Sequence, residues 1–254
     1  MPHQLALAAG CVIDTDAFGV VAAASIAGFD AVGLRISGPH VVVDVDALCA
    51  AASGAGVAIH DVEVHRIGGD ADATELLEVA AAIGATAVLV VSDLASVKDS
   101  TTELTRLARR CDRLGLTLGL EYMAWTTPST PRAAIEVASR AGCRLVVDVL
   151  HHVRVGAGVD ELHSIVAADL LGWLQLCDAP ATAPALDELV HEARHARLAP
   201  GDGGLPLADL LAEIPDGIVV SVEVQSDAMA AEFDVIERAR LLHAASQRVL
   251  NHRG

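Results

Sequence analysis

Leu118-Gly119-Leu120-Glu121 closes a short, almost continuously apolar run that begins at Thr117. An Ala-rich stretch of helical period follows from Pro131 to Ala141 and stops at Gly142, and Leu145-Val146-Val147-Asp148 is apolar again. A strand, a helix and a second strand within about thirty residues make one βα unit and open the next. The same rhythm fills the rest of the chain. Strands are predicted at 5–9, 31–34, 57–64, 87–91, 117–121, 145–148, 173–176 and 218–223. Helices are predicted near 15–27, 45–53, 73–83, 101–114, 131–141, 160–168 and 207–213, with a last one near 229–250. Most of the strands are apolar throughout rather than alternating, as parallel strands covered by helices are. Gly28, Gly56, Gly84, Gly115 and Gly142 stand where helices end, at the position that favours a left-handed residue.

Eight such units in 254 residues have the size of a closed (β/α)8 barrel. A doubly wound open sheet is the rival, but it does not call for eight evenly spaced units. The expectation is an α/β protein, a single (β/α)8 TIM barrel over residues 1–254. One unit departs from the rhythm. Residues 179–200 are long, contain Pro180, Pro184 and Pro200 and a helix at 186–196, and lead into Gly201-Asp202-Gly203-Gly204. This segment reads either as a cover over the mouth of the barrel or as an ordinary surface excursion.

Composition excludes several functions. The chain is 53% apolar and 20% charged, enough for a large core. Acidic residues outnumber basic ones 34 to 17, for a net charge of −17, which argues against nucleic acid and against an anionic membrane surface. Lys98 is the single lysine, so Schiff-base and pyridoxal chemistry have almost no candidate. There is no Gly-Lys-Ser/Thr phosphate loop and no Gly-x-Ser-x-Gly elbow. Cys11, Cys49, Cys111, Cys143 and Cys177 are scattered, with no Cys-x-x-Cys, and read as buried thiols in a reducing compartment. Residues 1–10 lack the basic leader of a signal peptide, and no apolar run reaches the ~18 residues of a membrane span. A soluble, cytoplasmic protein is expected. Apolar barrel exteriors often pair, which leaves a homodimer open.

Active sites of such barrels lie at the C-terminal ends of the strands. The last four strands end in Glu121, Asp148, Gln175 and Glu223, each an oxygen-bearing side chain at a corresponding position. Three carboxylates converging toward an axis repel unless they are protonated or bridged by a cation. One divalent ion is the economical answer. Four oxygen ligands suit Mn²⁺ or Mg²⁺, with Co²⁺ or Zn²⁺ as alternatives.

The ordered set Leu-Glu, Val-Asp-x-x-His, Leu-Gln-x-x-Asp, Arg-x-x-Pro-Gly-Asp-Gly and Val-Glu resembles the xylose isomerase-like barrels, usually described as sugar phosphate isomerases and epimerases. The resemblance spans nearly the whole chain. It implies Glu121, Asp148, Gln175 and Glu223 as the ligands of one divalent ion. Many epimerases of the family carry His where this chain has Gln175. Gln there is similar to the 3-dehydroshikimate dehydratases of the same superfamily, which share the Asp-x-x-His element.

Other candidates come from position. His151 lies three residues past Asp148, where a neutral imidazole can take or return a proton, whereas His152 reads as structural or solvent-facing. Arg154 and Arg197 fall in mouth loops and can hold a carboxylate or phosphate, or else form salt bridges. Glu63 and His65, alternating at the end of the third strand, are substrate-contact candidates. Asp178 reads as an acceptor that orients its neighbours, or as a helix cap. Tyr122 and Trp125 read as core, and His60, His163, His191, His195 and His243 as surface or helix residues. The expected activity is isomerisation or epimerisation next to the carbonyl of a small polyhydroxylated substrate, with Glu121 and Glu223 as base and acid. A dehydratase, with His151 as base, is the alternative. Both reactions pass through an enolate, so the fold does not choose between them. A non-catalytic ligand-binding barrel is a lesser alternative. A DNA-repair endonuclease on the same barrel would need a His-rich metal cluster and a basic groove.

Overall fold

The computed structural model describes residues 3–36, 44–69 and 73–251. Eight parallel strands close into a barrel in sequence order: β1 (Leu5–Leu7), β2 (Ala31–Leu34), β3 (Ala58–Ile67), β4 (Ala87–Ser92), β5 (Thr117–Glu121), β6 (Arg144–Asp148), β7 (Leu171–Leu176) and β8 (Val220–Val222). Pairing of β1 with β8 completes the ring. Outside it run α1 (Ala17–Ala27), α2 (Val45–Ala55), α3 (Ala73–Ala82), α4 (Val97–Leu114), α5 (Pro131–Ala141), α6 (Val149–Arg154), α7 (Val159–Ala167), α8 (Leu189–His195), α9 (Leu207–Ala212), α10 (Asp227–Glu232) and α11 (Val235–Asn251). Among the described residues no helix is long and apolar enough to cross a membrane.

Local chemistry accounts for the helix boundaries. The five predicted stop glycines all have φ between 69° and 92°. At the other ends, Asp16, Asp44, Ser96 and Thr130 accept backbone N–H groups of the first turns they cap. The predicted helix near 229–250 is two helices. Phe233 is extended, and the Asp234 carboxylate accepts from Ile236 N and Glu237 N, which starts α11 afresh. Helix α6 was not foreseen, because the chain enters it directly from β6 with Asp148 as its cap.

Two cores result. The larger lies between strands and helices; the smaller fills the barrel itself with Ala87, Leu89, Val91, Met123, Val146 and Trp173. Gly119 makes room for the Trp173 indole, since a Cβ there would stand 2.2 Å from Cη2 and 2.8 Å from Val146 Cγ2. This packing sets the height of the strand-end side chains, because residues two apart on a strand share a face. Glu121 therefore rises above Gly119, Asp148 above Val146, and Gln175 above Trp173, all one layer above the packed interior. His60 is no surface residue: it lies on β3 with its ring edge-on to Trp173 at 5.1 Å, and burial lowers its pKa to about 4.

Candidate metal and active site

A cavity of about 580 Å³ opens at the C-terminal end of the barrel, the size of a small-molecule site. Glu63, Glu121, His151, Gln175, Arg197 and Glu223 line it, all of them buried. Asp148 is buried in its wall. One Asp148 oxygen accepts from Leu150 N (2.8 Å) and His151 N (3.2 Å), and the other accepts from Arg197 Nη1 at 2.6 Å. One ligand atom each of Glu121, Asp148 and His151 lies within 4.8 Å of the others, a geometry able to chelate a metal ion. The His151 ring stands edge-on to Trp125 at 5.1 Å, and its Nε2 is 3.6 Å from Glu121 Oε1.

Burial works against charge throughout this site. It pushes Glu223 up to about 7 against the pull of Arg197, with Glu63 and Asp148 adding to the rise. Burial, then Glu223 and Asp148, hold Glu121 well above the usual carboxylate range. Asp148 goes the other way: burial opposes ionisation, but Arg197 and His151 beside it hold its pKa low. Burial lowers His151 to about 4, so the imidazole is neutral at pH 7.

These residues fit a divalent cation. Glu63, Glu121, Asp148 and Glu223 are four carboxylates, and the guanidiniums against them are Arg197 and Arg35. Two negative charges are left to protons or to a cation. The Gln175 amide oxygen is buried without a hydrogen-bond partner, the mark of an acceptor awaiting a ligand.

The remaining candidates divide. Glu63 faces the cavity, but His65 does not: it lines a separate shallow pocket with Gly68, Ala73 and Leu94. Between the pairs Val62/Val88 and His65/Val90, β3 advances three residues while β4 advances two, and the extra residue breaks the alternation that would put both on one face. Arg154 is also outside the cavity lining. It forms a buried two-point pair with Glu192 (2.7 and 2.8 Å) and donates to Pro180 O, so its salt-bridging reading holds. Arg197 is fully enclosed rather than on a loop surface. It donates to Ala193 O as well as to Asp148, and its Nη2 lies 3.4 Å from His151 Nε2. Asp178 accepts from the N–H groups of Ala179, Gly201, Gly203 and Leu205 at 2.8–3.0 Å, tying the glycine-rich loop to the end of β7. His152 is structural, taking the Tyr122 hydroxyl at Nδ1 (2.6 Å) and facing Gly158 O through Nε2. Tyr122 is core, as expected, but Trp125 lines the cavity; His195 is the exposed helix residue expected, at the end of α8, and lines the cavity as well. Arg35, directly after β2, was missed; its Nε lies 3.4 Å from Glu63 Oε1 and its Nη2 3.6 Å from Glu223 Oε1.

The raised carboxyls predict a pH effect on the metal-free protein. Below about pH 7.5 buried His60 and His151, neutral when folded, oppose the effect by taking up protons on unfolding. Above that pH unfolded Glu223 is ionised, whereas folded Glu223, pushed up to about 7, still holds part of its proton. The folded state then binds more protons, so stability falls as pH rises from about 7.5 to 9. Glu121 and the buried Asp61 act in the same direction. Thermal melts in chelator should drop across that range and recover with Mn²⁺ at pH 8. A melting temperature that is flat in chelator and indifferent to Mn²⁺ would contradict the assignment.

The profile of the xylose isomerase-like TIM barrel family matches residues 21–245. No curated protein matches the sequence. Among solved structures, a xylose isomerase-like TIM barrel/4-hydroxyphenylpyruvate dioxygenase fusion protein superposes with a TM-score of 0.85 at 19% identity, over 100% of this chain and 43% of that one. The IOLI protein with a bound zinc atom gives 0.84 at 16%, over 99% of both chains. The D-allulose 3-epimerase of Methylomonas sp. in complex with D-allulose gives 0.74 at 15%, over 100% of this chain and 98% of that one. At such identities the superpositions establish the fold alone, but the profile covers most of the sequence. The chain belongs to the xylose isomerase-like TIM barrel family.

Proposed function

We propose that this barrel is a divalent-metal-dependent isomerase or epimerase that moves a proton next to the carbonyl of a small keto sugar or related polyhydroxylated substrate. The observation that carries the reading is the pair Glu121 and Glu223, two buried carboxyls with raised pKa facing one sugar-sized cavity beside the unpartnered oxygen of Gln175. Glu121, Asp148, Gln175 and Glu223 would hold the ion, Mn²⁺ or Mg²⁺ before Co²⁺ or Zn²⁺, with His151 at its side. When bound, a divalent cation polarises the carbonyl and makes the neighbouring proton more acidic.

The chain's own groups supply the rest. A carboxylate facing the reacting carbon can both take and return a proton, and Glu223 faces the cavity from just beyond β8. Glu121 serves as its partner in the exchange, one group removing the proton and the other returning it. Glu63 and Arg197 position substrate oxygens, and Trp125 closes the cavity beside His151. A second reading, a lyase of the 3-dehydroshikimate dehydratase type, is favoured by one observation: His151 is neutral, buried and on the cavity wall, a base ready to take a proton as a β-hydroxyl leaves.

Metal analysis after dialysis against Mn²⁺ should find about one equivalent in the parent protein and much less in a Glu121→Ala, Glu223→Ala double variant. Solvent deuterium should enter the α-position of a ketose, followed by NMR. An aromatic absorbance band from 3-dehydroshikimate without ketose exchange would select the lyase reading. A folded protein that binds no divalent ion would sink both.

A further inference from the structure

Helix α8 contains His191-Glu192-Ala193-Arg194-His195, the His-Glu-x-x-His spacing that puts two imidazoles on one helix face to hold zinc. The fold keeps the two histidines together: their rings stack with centres 5.0 Å apart and planes 22° from parallel. Zinc lies about 2.0–2.1 Å from an imidazole nitrogen, so two imidazoles on one tetrahedral ion have ring centres about 5 Å apart. Both side chains are exposed, which leaves them room to tilt their nitrogens toward a shared ion.

Asp227, the first residue of α10, prepares one of the two. Both of its carboxylate oxygens lie 3.2 Å from His195 Nδ1. Nδ1–H donates to them, and the lone pair is left on Nε2. Carboxylate, imidazole and metal follow one another in this order in zinc sites. His191 has no hydrogen bond or ion pair among the described residues, so nothing there competes for its ring nitrogens. The chain around Asp227 is held against the end of α8 by the bridge between Ala196 and Ser226, and by Arg197 N, which donates to Gln225 O at 3.1 Å.

Glu192 limits what an ion can do there. In hydrolases of this spacing the glutamate beside the first histidine is the general base. Here that carboxylate is buried and bound at two points by Arg154, at 2.7 and 2.8 Å. What remains is a binding site without a base. Its donors also select differently from the cavity: imidazole nitrogens suit Zn²⁺, Ni²⁺ or Cu²⁺, whereas the oxygens at the strand ends suit Mn²⁺ or Mg²⁺.

We propose that His191 and His195 form a second metal site, for a transition-metal dication with Zn²⁺ foremost, in which Asp227 orients His195 and water completes the shell. His195 and Asp227 both line the cavity, so the ion sits at its rim, between α8 and α10. The test is zinc bound at fixed free Zn²⁺, measured on the parent and on His191→Gln, an exposed change. The parent should carry about one equivalent more than the variant. That difference is independent of any ion in the cavity, so this inference and the enzymatic reading fail separately. Mn²⁺ in place of Zn²⁺ should give the same count for both proteins. Asp227→Asn, which leaves both imidazoles in place, should weaken zinc at this site about 10–100-fold. Equal zinc in the parent and His191→Gln overturns the proposal, and undiminished affinity in Asp227→Asn overturns the role given to Asp227.

Discussion

Glu223→Gln should lower deuterium exchange at the substrate α-carbon by about 10²–10⁴-fold, the usual contribution of a positioned acid or base, while without metal the variant melts no lower than its parent at pH 8. The two outcomes have one cause. Glu223 sits buried among Glu63, Glu121 and Asp148, and its carboxyl is pushed up to about 7 chiefly by that burial. At pH 8 the folded parent carries a charge that the unfolded chain would solvate better. Glutamine keeps the shape and removes the charge. Its amide oxygen can still accept from Gln225 Nε2, now 3.2 Å from Glu223 Oε1. Arg197 keeps Asp148, and Arg35 keeps Glu63. Stability given up for reactivity in this way is common in active sites. Solvent exchange by NMR on the metal-loaded protein and a thermal melt of the same preparation in chelator make the test. Retained exchange would remove Glu223 from the proton transfer, and a melting point several degrees lower would show that its charge stabilises the fold.

The barrel was legible because its code is local. Most strands are apolar runs of the right length, and five helices stop at a glycine with positive φ. The strand-end residues were legible for the same reason: Glu121, Asp148 and Gln175 lie two residues beyond Gly119, Val146 and Trp173, so one inward-facing register carries packing below and chemistry above. His65 was not legible, because a single extra residue in β3 turns it to the other face and nothing in Glu63-Val64-His65-Arg66 marks that irregularity. Arg35 was within reach. It directly follows Leu34, and the strand-end rule applied to β2 as it was to the last four strands would have found it. Trp125 comes from a loop whose path depends on packing far away in sequence, and His195, at the end of α8, is placed by a partner 32 residues on, Asp227 at 3.2 Å.

Arg154 separates the two kinds of information most sharply, and Arg154→Met should cost roughly 3–5 kcal/mol of stability without weakening substrate binding. By position alone it was a mouth arginine able to hold an anion. In the fold its side chain is 3% exposed and bonded at two points to a Glu192 side chain that is 8% exposed, and it also donates to Pro180 O at 2.7 Å. Methionine fills much of the same volume but leaves the Glu192 carboxylate buried with no cation, which is the expensive half of breaking such a pair. For a chain of this size the loss lowers the melting temperature on the order of 10 °C. An Arg154→Met, Glu192→Leu double variant removes both charges and should recover most of it, because two well-packed apolar side chains can replace a buried ion pair at little cost. The pair joins α6, which carries His151, to α8, which carries Arg194, so it braces two walls of the cavity without reaching into it. Kinetics measured below the lowered melting point should therefore keep the parent's KM. A raised KM with an unchanged melting temperature would mean that Arg154 leaves Glu192 to meet the substrate, and the pair would then be a gate rather than a brace.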